Sequence, residues 1–592
     1  MVKKLKQLLT KWGKQVEGEL VHQEHPRPIF KREQTRILNG NWDYSIFNAQ
    51  EEVIKSGQIL VPYPPESHLS GVEHILQADE SLVYKHTVEL NPTADNRTII
   101  HFGAVDQECK LLVNGQPVGG HKGGYLPFSF DITSHLVDGQ NELELRVKDM
   151  TEFAPHARGK QRLHAEGAYS FLFYTPVSGI WKSVWLEEVP NNYIKDFRIT
   201  PDIDSGKVDV FVEASQAASV KVKIYEAGEI ICDESVEANS LTSLSIPDAQ
   251  LWTPESPFLY DIEFTYGEDV ISSYFGMRKY SVEKDAQGIS RFYLNNQPYY
   301  FNGLLNQGYW PESILTAPTD EALLYDIVRL KELGFNTIRV HVKVEAERFY
   351  YHCDKVGMIV WQDMPNGGGV YDHDFVTDLP NDSDEACRTT PDHEYAKFSR
   401  EDEVGRAQYY QDLEDMIKAL YNHPSIALWV PFNEGWGQFD ANKATDLVRS
   451  IDSSRFIMET SGWFDQGGGD VHSYHNYRHF LKIQPQGDRP VALSEFGGYS
   501  AVVENHHSHS VTYGYQAYDN LDELTQNYRD LIEQQIIPNI KCGLSATIYT
   551  QLTDVEVETN GLFTYDRKVQ KIHEKDLSEL NQRIYQKFKD SV

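Results

Sequence analysis

Two glutamates stand where apolar runs of the sequence end. Glu434 closes "IALWVPFNE" and Glu495 closes "PVALSEFGG", and a glycine follows each of them within three residues. Both runs are typical of strands buried on both faces. An acid in such a place is either a paired structural carboxylate or a proton-transfer group, and neither run alone decides between the two. Whether the pair does chemistry depends on whether the fold brings the two carboxylates together.

Helical and strand patterns alternate around these glutamates. From about residue 284, "DEALLYDIVRLKELGF" has the periodicity of an amphipathic helix that Gly334 ends, and "NTIRVHV" follows as a strand. The alternation continues and predicts a (β/α)₈ barrel over residues 284–592. If "NTIRVHV" is the second strand, Glu434 and Glu495 fall on the fourth and the seventh. Polar residues at strand C-termini line one face of such a barrel, so we expect both carboxylates in one bowl.

Two converging carboxylates suit the cleavage of a glycosidic bond. That reaction needs a protonated acid for the leaving oxygen and an ionised carboxylate that faces the anomeric carbon. A separation of about 5–5.5 Å gives retention through a covalent intermediate, and a wider gap gives inversion. We expect the apolar approach to Glu434 to raise its pKa by desolvation, and Arg339 to keep Glu495 ionised.

Other polar residues at predicted strand ends are candidates for binding a sugar, together with one tryptophan that offers a flat surface to a pyranose. They are Arg339, His341, Asp363, Asn433, His472, Tyr474, Tyr549 and Trp463. Asp363 either contacts sugar hydroxyls or pairs with Arg339, and the sequence leaves both open.

Tryptophans and one long insertion complete the predicted site. Trp361 either joins Trp436 and Trp463 in a stacking platform or fills the barrel core. The Gly/Asp-rich segment 364–395 follows the third predicted strand, and loops of this length tend to shape the entrance of a site. We therefore expect this segment to contribute to specificity.

The first 283 residues have the pattern of β structure. Short alternating segments such as "CKLLVNGQPVG" and "NELELRVKD" predict a jelly-roll sandwich within residues 1–190. Segments such as "KVDVFVEAS" predict an immunoglobulin-like sandwich over residues 191–283. The lysine-rich N-terminus indicates a short basic amphipathic helix and not a signal peptide.

The composition argues against several classes of function. A formal charge of −33 disfavours nucleic acid and anionic membranes as partners, because both require positive patches. No apolar run approaches the roughly 20 residues that span a bilayer. The five cysteines are scattered and show no zinc spacing, so we expect free thiols and a cytoplasmic protein. They are Cys109, Cys232, Cys353, Cys387 and Cys542. No cofactor or metal is expected, the "ENHHSHS" loop included, and a homo-oligomer stays open.

Several motifs follow one another in the order of a known family. "LNGNWDYSI", "SGIWKSVWLE", "LWTPESPFLYDIEF", "GFNTIRVH", "HPSIALWVPFNE", "SEFGG" and "TNGLFTYDR" run from the first domain to the last. With them the chain resembles glycoside hydrolase family 2, the β-galactosidase, β-glucuronidase and β-mannosidase family. The resemblance implies a retaining enzyme for a carbohydrate substrate, with Glu434 as general acid/base and Glu495 as nucleophile. It also implies that Asn433 binds the sugar 2-hydroxyl and that Arg339 and Tyr474 lie beside the nucleophile.

Departures from the family pattern concern the substrate. Phe173 stands where many β-galactosidases and β-glucuronidases carry an aspartate, His341 is shifted by one position, and Tyr549 replaces a common tryptophan. The Asn-x-Lys pair that grips a glucuronate carboxylate is not visible before "NGLFTYDR". We therefore expect an exo-glycosidase for terminal β-galactosides. The alternatives are the same chemistry on a β-mannoside, β-glucuronide or arabinopyranoside, and a non-catalytic carbohydrate-binding protein, against which the presence of both glutamates argues.

Overall fold

The C-terminal half of the molecule is a barrel of parallel strands. The computed structural model describes residues 4–16, 18, 20–162, 171–382 and 390–592. Within this part of the chain, eight parallel strands form one sheet in the order five, four, three, two, one, eight, seven, six, which confirms the (β/α)₈ barrel. In chain order the strands are Phe301–Asn306, Thr337–Val340, Ile359–Asp363, Ile426–Val430, Phe456–Ile457, His472–Asn476, Val491–Gly497 and Leu544–Thr550. Arg339 is therefore on the second strand, Glu434 follows the fourth, and Glu495 is on the seventh.

Helices alternate with these strands. The first begins after Thr319, whose side chain accepts a hydrogen bond from the backbone N–H of Ala322, and the left-handed Gly334 (φ +87°) lies just past its end. The helices of the described residues are Asp320–Glu332, Glu347–Val356, Leu379–Asp382, Glu403–Leu420, Ala441–Ile451, Leu521–Leu531, Ile537–Ile540 and Glu574–Lys589, with π-helical turns at Asp374–Asp378 and Ile532–Ile536. The helix predicted from "DEALLYDIVRLKELGF" is thus confirmed as Asp320–Glu332.

Aromatic side chains fill the barrel interior. A small sheet of three strands (Tyr280–Lys284, Ser290–Leu294 and Gln297–Pro298) precedes the first barrel strand. It places the Phe292 ring 5.0 Å from that of Phe301, and the Phe301 ring lies 5.8 Å from that of fully buried Trp361. Trp361 therefore fills the barrel core, which decides between its two interpretations.

The N-terminal region is a sandwich of two main antiparallel sheets, as expected for a jelly roll. The six-stranded sheet consists, in spatial order, of Val53–Val61, Gly40–Phe47, Ser81–Leu90, Gly139–Lys148, Glu108–Val113 and Gln116–Lys122. The four-stranded sheet consists of Thr35–Ile37, Val184–Pro190, Asn96–Phe102 and Phe128–Asp131, and Val105–Asp106 pairs with Gly179–Ile180. Asn114 and Gly115 both have positive φ, as the tight hairpin turn at "VNGQ" requires.

The middle region is a smaller sandwich. Its sheets are Ile194–Asp202, Lys207–Ala214 and Leu241–Ser245 on one side and Glu229–Glu237, Ser219–Glu226, Tyr260–Tyr266 and Asp269–Phe275 on the other, each in spatial order. Apolar side chains alternate along these strands and meet in one core. This arrangement agrees with the immunoglobulin-like prediction.

The N-terminal helix prediction is wrong for the residues that the structure describes. Residues 4–10 are irregular and extended apart from one bridge between Lys4 and His509, and turns follow at 11–15. The apolar residues that suggested a helix are instead buried against the barrel: Leu8 and Trp12 join its hydrophobic cluster, and the Trp12 ring lies 4.8 Å from that of Tyr325. Packing against the barrel, which the sequence pattern does not reveal, thus overrides the weak local helical preference.

Two further predictions concern membrane-spanning segments and the cysteines. None of the helices in the described ranges has the length and apolar composition needed to cross a membrane. Among the same residues Cys109, Cys232, Cys353 and Cys542 are free thiols, and Cys387 lies outside them.

Candidate active site

The chain reaches Glu434 through a change of direction after the fourth strand. The short strand Phe432–Asn433 pairs with Thr460–Ser461, and the backbone N–H of Glu434 donates to the carbonyl of Ser461 at 2.9 Å. Glu434 itself has φ +54°, a left-handed conformation that is uncommon away from glycine. This turn, which Gly435 continues at φ +73°, directs the carboxylate away from the strand line and toward the bowl.

Glu495 is held by two donors. Nη1 of Arg339 donates to its Oε1 at 3.0 Å, and the hydroxyl of Tyr477 donates to its Oε2 at 2.5 Å. The Tyr477 ring is stacked on that of Tyr515 at 3.7 Å. The carboxylate is therefore fixed in orientation from both sides.

Arg339 connects the polar residues at the bottom of the bowl. It donates to both oxygens of Asp363, at 3.0 and 2.8 Å, and to Oδ1 of Asn433 at 2.8 Å. Burial lowers the pKa of Arg339, but the charges of Asp363 and Glu495 raise it by more, so the guanidinium stays charged. Asp363 thus pairs with Arg339, the second of its two interpretations, and Arg339 supports Asn433 and Glu495 together.

His475 lies between the two glutamates. Its Nδ1 is 2.7 Å from Oε1 of Glu434, and its Nε2 is 2.8 Å from the hydroxyl of Ser461 and 3.6 Å from Oε1 of Glu495. One oxygen of each glutamate and one ring nitrogen of His475 lie within 4.8 Å of one another. The carboxylates that the sequence predicted to converge are therefore close neighbours.

The electrostatics of Glu434 differ from expectation. Burial does raise the pKa of Glu434, but the hydrogen bond and charge of His475, with the charges of Lys160 and Arg339, lower it by more. The net pKa lies below the ordinary value, so the prediction of a raised pKa is wrong. The apolar strand that suggested it ends before the carboxylate, which faces cations across the bowl.

Several buried donors around the glutamates lack an acceptor within the described residues. They are Nδ2 of Asn433 and the indole N–H groups of Trp436 and Trp463. The ring of Trp463 packs edge-on to that of His475 at 5.1 Å, and His341 places Nδ1 3.8 Å from Oε1 of Glu495. Buried donors without partners are costly in a folded protein, so a ligand rich in hydroxyl groups would satisfy this site.

Comparison with known proteins now identifies the family. The family model described as "Glycosyl hydrolases family 2, TIM barrel domain" matches residues 286–584. The models described as "Glycosyl hydrolases family 2, sugar binding domain" and "Glycosyl hydrolases family 2" match residues 61–190 and 192–278. The chain belongs to glycosyl hydrolases family 2.

Individual family 2 proteins are similar at low identity. A β-galactosidase of Thermoanaerobacter pseudethanolicus is 25% identical over 460 residues, which cover 73% of this chain and 54% of that protein. A β-glucuronidase of Streptococcus agalactiae serotype V is 23% identical over 432 residues, which cover 69% and 67%. The chain spans about half the length of the first curated relatives that it matches.

Solved structures share the fold. The β-D-glucuronidase of Dictyoglomus thermophilum superposes with a TM-score of 0.73 at 18% identity, covering 95% of this chain and 98% of that one. A β-galacturonidase of Eisenbergiella tayi bound to galacturonate gives a TM-score of 0.70 at 20% identity, covering 96% and 99%. At these identities the likeness establishes the three-domain architecture of family 2 and nothing finer.

The sixth strand of this family 2 barrel presents residues other than those predicted. His472 contacts Asp465 at 2.8 Å, and the hydroxyl of Tyr474 accepts from Gln486, so neither assignment to the sugar site is supported. The pairing with the seventh strand shifts register between Tyr474 and His475, and His475 becomes the partner of Glu495. Because such a shift changes which side chains face the bowl, His475 and Tyr477 take the places expected of His472 and Tyr474.

Tyr549 also points elsewhere. Its hydroxyl accepts from the backbone N–H of Tyr499 at 3.2 Å, and its ring packs on those of Phe496 and Tyr528 at 5.4 and 5.0 Å. Tyr528 belongs to the helix Leu521–Leu531 outside the barrel. Tyr549 therefore packs between the seventh and eighth strands and that helix, whereas its assignment to the sugar site stays a prediction.

The jelly roll and the eighth-strand loop add residues that the sequence did not indicate. Lys160 lies with its Nζ 4.3 Å from the Trp436 ring, and Glu558 accepts a hydrogen bond from Tyr174. Nothing in the local sequence of Lys160 marks it, since it reaches the barrel from another domain. The "HNY" spacing places His475 near the end of the sixth strand and Tyr477 directly after it, and this was a usable signal for the other pair.

Two clusters of potential metal ligands occur among the described residues. One consists of Glu434, His475 and Glu495, and the other is the partly exposed trio His373, Asp374 and Asp378. In the "ENHHSHS" loop, Nδ1 of His506 lies 3.0 Å from Asp566. The first cluster consists of the two glutamates of the candidate active site and the histidine that lies between them.

Proposed function

We propose that this family 2 member is a retaining exo-glycosidase that hydrolyses terminal β-linked sugars. Its first proposed substrates are β-galactosides. The observation that carries the proposal is the spacing of the two carboxylates, because an oxygen of Glu434 and an oxygen of Glu495 lie within 4.8 Å of each other. Retaining enzymes hold their carboxyl groups about 5–5.5 Å apart, whereas inverting enzymes hold them about 6.5–9.5 Å apart to admit water.

Glu495 is the proposed nucleophile. Arg339 and Tyr477 donate to its two oxygens and so hold the carboxylate in one orientation. In the first step an oxygen of Glu495 bonds to the anomeric carbon while the bond to the leaving oxygen breaks. Glu434 transfers its proton to that oxygen, so the products are an alcohol and a glycosyl ester on Glu495.

Glu434 then acts as the base. Its carboxylate takes a proton from water, the water oxygen bonds to the anomeric carbon, and the ester bond to Glu495 breaks. The depressed pKa of Glu434 favours the ionised form that this second step needs. The acid half of the cycle requires Glu434 to regain a proton while it is hydrogen-bonded to His475.

The sugar would be positioned by donors that lack protein partners. Nδ2 of Asn433 is buried and unpaired within the described residues, while its Oδ1 is fixed by Arg339. The amide is thus oriented to donate to a hydroxyl next to the anomeric carbon, a contact that strengthens in the transition state. Residues of the jelly roll close one side of the bowl, as Lys160 over Trp436 illustrates, which favours exo action at a chain end.

The test is a panel of nitrophenyl β-glycosides assayed with the wild type and with Glu495→Gln. We expect turnover of at least one neutral β-glycoside, a product that keeps the β configuration by NMR, and no turnover by Glu495→Gln. An initially inverted product would overturn the retaining mechanism. Absence of turnover on every sugar would favour the carbohydrate-binding alternative.

The names of the similar proteins support a second proposed glycone, glucuronic acid. The similar proteins include β-glucuronidases as well as β-galactosidases. The panel therefore contains β-galactoside, β-glucuronide, β-mannoside and α-L-arabinopyranoside, and the ratio of their kcat/KM values decides among them.

A further inference from the structure

Lys160 reaches the bowl of the barrel from the jelly roll. Its residue is only 6% exposed, and its Nζ lies 4.3 Å from the ring of Trp436 and 5.6 Å from that of Phe173. Within the described residues no hydrogen-bond acceptor and no carboxylate partner is found for this ammonium group. A buried cation without an acceptor is destabilising unless something that enters the site supplies one.

The contact with Trp436 places Lys160 near the proposed catalytic groups. Burial lowers the pKa of Lys160, and the charges that oppose this are those of Glu558, then Glu434, then Glu495. Trp436, which the ammonium covers, stands two positions after Glu434. Lys160 therefore faces the space in which the sugar would bind.

Glu558 faces the same space from the loop after the eighth strand. It is 2% exposed; its Oε2 accepts from the hydroxyl of Tyr174 and its Oε1 accepts from Nδ2 of Asn560 at 3.0 Å. Nε2 of Gln307, next to the first barrel strand, donates to the same Tyr174 hydroxyl at 2.9 Å. These contacts fix the carboxylate in place at the junction of jelly roll and barrel.

Tyr174 connects Lys160 and Glu558, because its backbone N–H donates to the carbonyl of Lys160 at 2.9 Å and its hydroxyl donates to Glu558, although the two charged groups form no direct ion pair. Lys160, a donor, and Glu558, an acceptor, thus lie near each other beside the proposed catalytic carboxylates. A sugar hydroxyl both donates and accepts, so two neighbouring hydroxyls can satisfy Lys160 and Glu558 together. A carboxylate on the sugar would satisfy Lys160 but would meet the like charge of Glu558.

We propose that Lys160 and Glu558 form the specificity pair for the glycone, with Lys160 donating to one hydroxyl and Glu558 accepting from a neighbouring one, and that the pair selects neutral sugars over uronic acids. This inference rests on the proposed glycosidase function. It makes the jelly roll a supplier of a substrate-binding residue, so the first domain takes part in choosing the sugar.

The test determines whether Lys160 contacts one particular hydroxyl group of the substrate. The variants are Lys160→Met, whose unbranched side chain is one atom shorter and lacks the donor, and Lys148→Met on the exposed outer face of the jelly roll as a matched control. The substrates are the nitrophenyl glycoside that the wild type prefers and its 3-, 4- and 6-deoxy analogues. All variants are compared by kcat/KM and by thermal unfolding.

We expect Lys160→Met to lower kcat/KM for the parent glycoside by roughly 100-fold, as for loss of a donor to a substrate hydroxyl. For one deoxy analogue, wild type and Lys160→Met should differ by no more than about threefold, because the contact is already absent. Lys148→Met should match the wild type throughout. Equal losses on the parent and on every deoxy analogue would overturn the contact, since a general electrostatic or structural role gives that pattern.

Glu558→Gln supplies a second, independent readout. The amide keeps the shape of the side chain but removes the charge, so the β-glucuronide/β-galactoside ratio of kcat/KM should rise roughly tenfold or more. An unchanged ratio, or a wild type that prefers the β-glucuronide, would overturn the selection of neutral sugars. If glycosides are turned over but the effect of Lys160→Met does not depend on any one substrate hydroxyl, only the specificity pair is refuted. If no glycoside is turned over, the glycosidase function is refuted, and the specificity pair with it.

Discussion

Glu495 and Glu434 occupy one bowl, but the chain holds them by contacts of different kinds. Each oxygen of Glu495 accepts a hydrogen bond, one from Arg339 and one from Tyr477, and Arg339 is itself locked by Asp363. Glu434 instead meets Nδ1 of His475, a group that can also carry a proton, and its backbone is in the left-handed region. The first arrangement fixes the orientation of a carboxylate from both sides. The second places a ring nitrogen 2.7 Å from the carboxylate that is proposed to give and take the proton.

The two environments also come from different parts of the fold. The donors to Glu495 belong to the second barrel strand and to the residue that directly follows the sixth. The groups that lower the pKa of Glu434 come from the sixth strand (His475), the second (Arg339) and the jelly roll (Lys160). The described contacts of Glu495, the proposed nucleophile, therefore come from the barrel alone, whereas Glu434, the proposed acid/base group, is influenced by two domains.

Removing one or the other carboxylate should separate these roles most strongly. Glu495→Gln is expected to lower kcat/KM by roughly 10⁴-fold or more with every leaving group, because no glycosyl ester can form. Glu434→Ala is expected to lose roughly 10²- to 10⁴-fold on an alkyl glycoside but to keep a fast burst of dinitrophenolate, since that leaving group needs no proton. Stopped-flow release of the phenolate measures the burst.

Two controls accompany this comparison. Added azide should restore turnover to Glu434→Ala, because a small anion can occupy the vacated space and attack the glycosyl ester without a base. Azide should not restore turnover in this way to Glu495→Gln, because that variant forms no glycosyl ester. A dinitrophenyl burst in Glu495→Gln, or equal losses with both leaving groups in Glu434→Ala, would reverse or abolish the assigned roles.

The contrast between strands explains what the sequence could reveal. On the fourth and seventh strands, apolar runs ended by an acid located Glu434 and Glu495 directly, and the barrel order followed from alternation. On the sixth strand the same rule selected His472 and Tyr474, because a register shift against the seventh strand leaves no trace in residue types. Contacts between domains were equally invisible: Lys160 lies far from the barrel in sequence, and the pKa of Glu434 depends on it.

The sixth strand offers a matched pair of tyrosines that tests this correction. Tyr477→Phe removes the donor to Oε2 of Glu495 and should lower kcat/KM by roughly 10- to 100-fold, since a hydrogen bond to a charged group contributes about 1.5–3 kcal/mol. Tyr474→Phe removes a hydroxyl that accepts from Gln486 and should stay within about twofold of the wild type. Steady-state kinetics on one glycoside decides, and the reverse ranking would reinstate Tyr474 beside the nucleophile.

The histidines of the same strand test the proton balance of Glu434. His475 lowers the pKa of Glu434, so His475→Asn should raise that pKa. Protonated Glu434 is the form that starts the reaction, so the alkaline limb of the kcat/KM profile should move to higher pH. His472→Asn, which alters the contact with Asp465 instead, should leave the limb where the wild type has it. An unmoved limb in His475→Asn, or one moved to lower pH, would mean that His475 does not set the acidity of Glu434.

The smallest expected effect concerns Tyr549, which the family pattern places under the sugar and whose hydroxyl accepts from the backbone N–H of Tyr499. Tyr549→Phe removes the acceptor for the buried N–H of Tyr499 and should cost about 1 kcal/mol of stability, seen as a fall of about 1–2 °C in the thermal unfolding midpoint. KM and kcat should each stay within about twofold, because the ring still packs on Phe496 and Tyr528. A raised KM with an unchanged unfolding midpoint would instead put the hydroxyl in contact with substrate. The two readouts therefore assign Tyr549 either to the wall of the barrel or to its bowl.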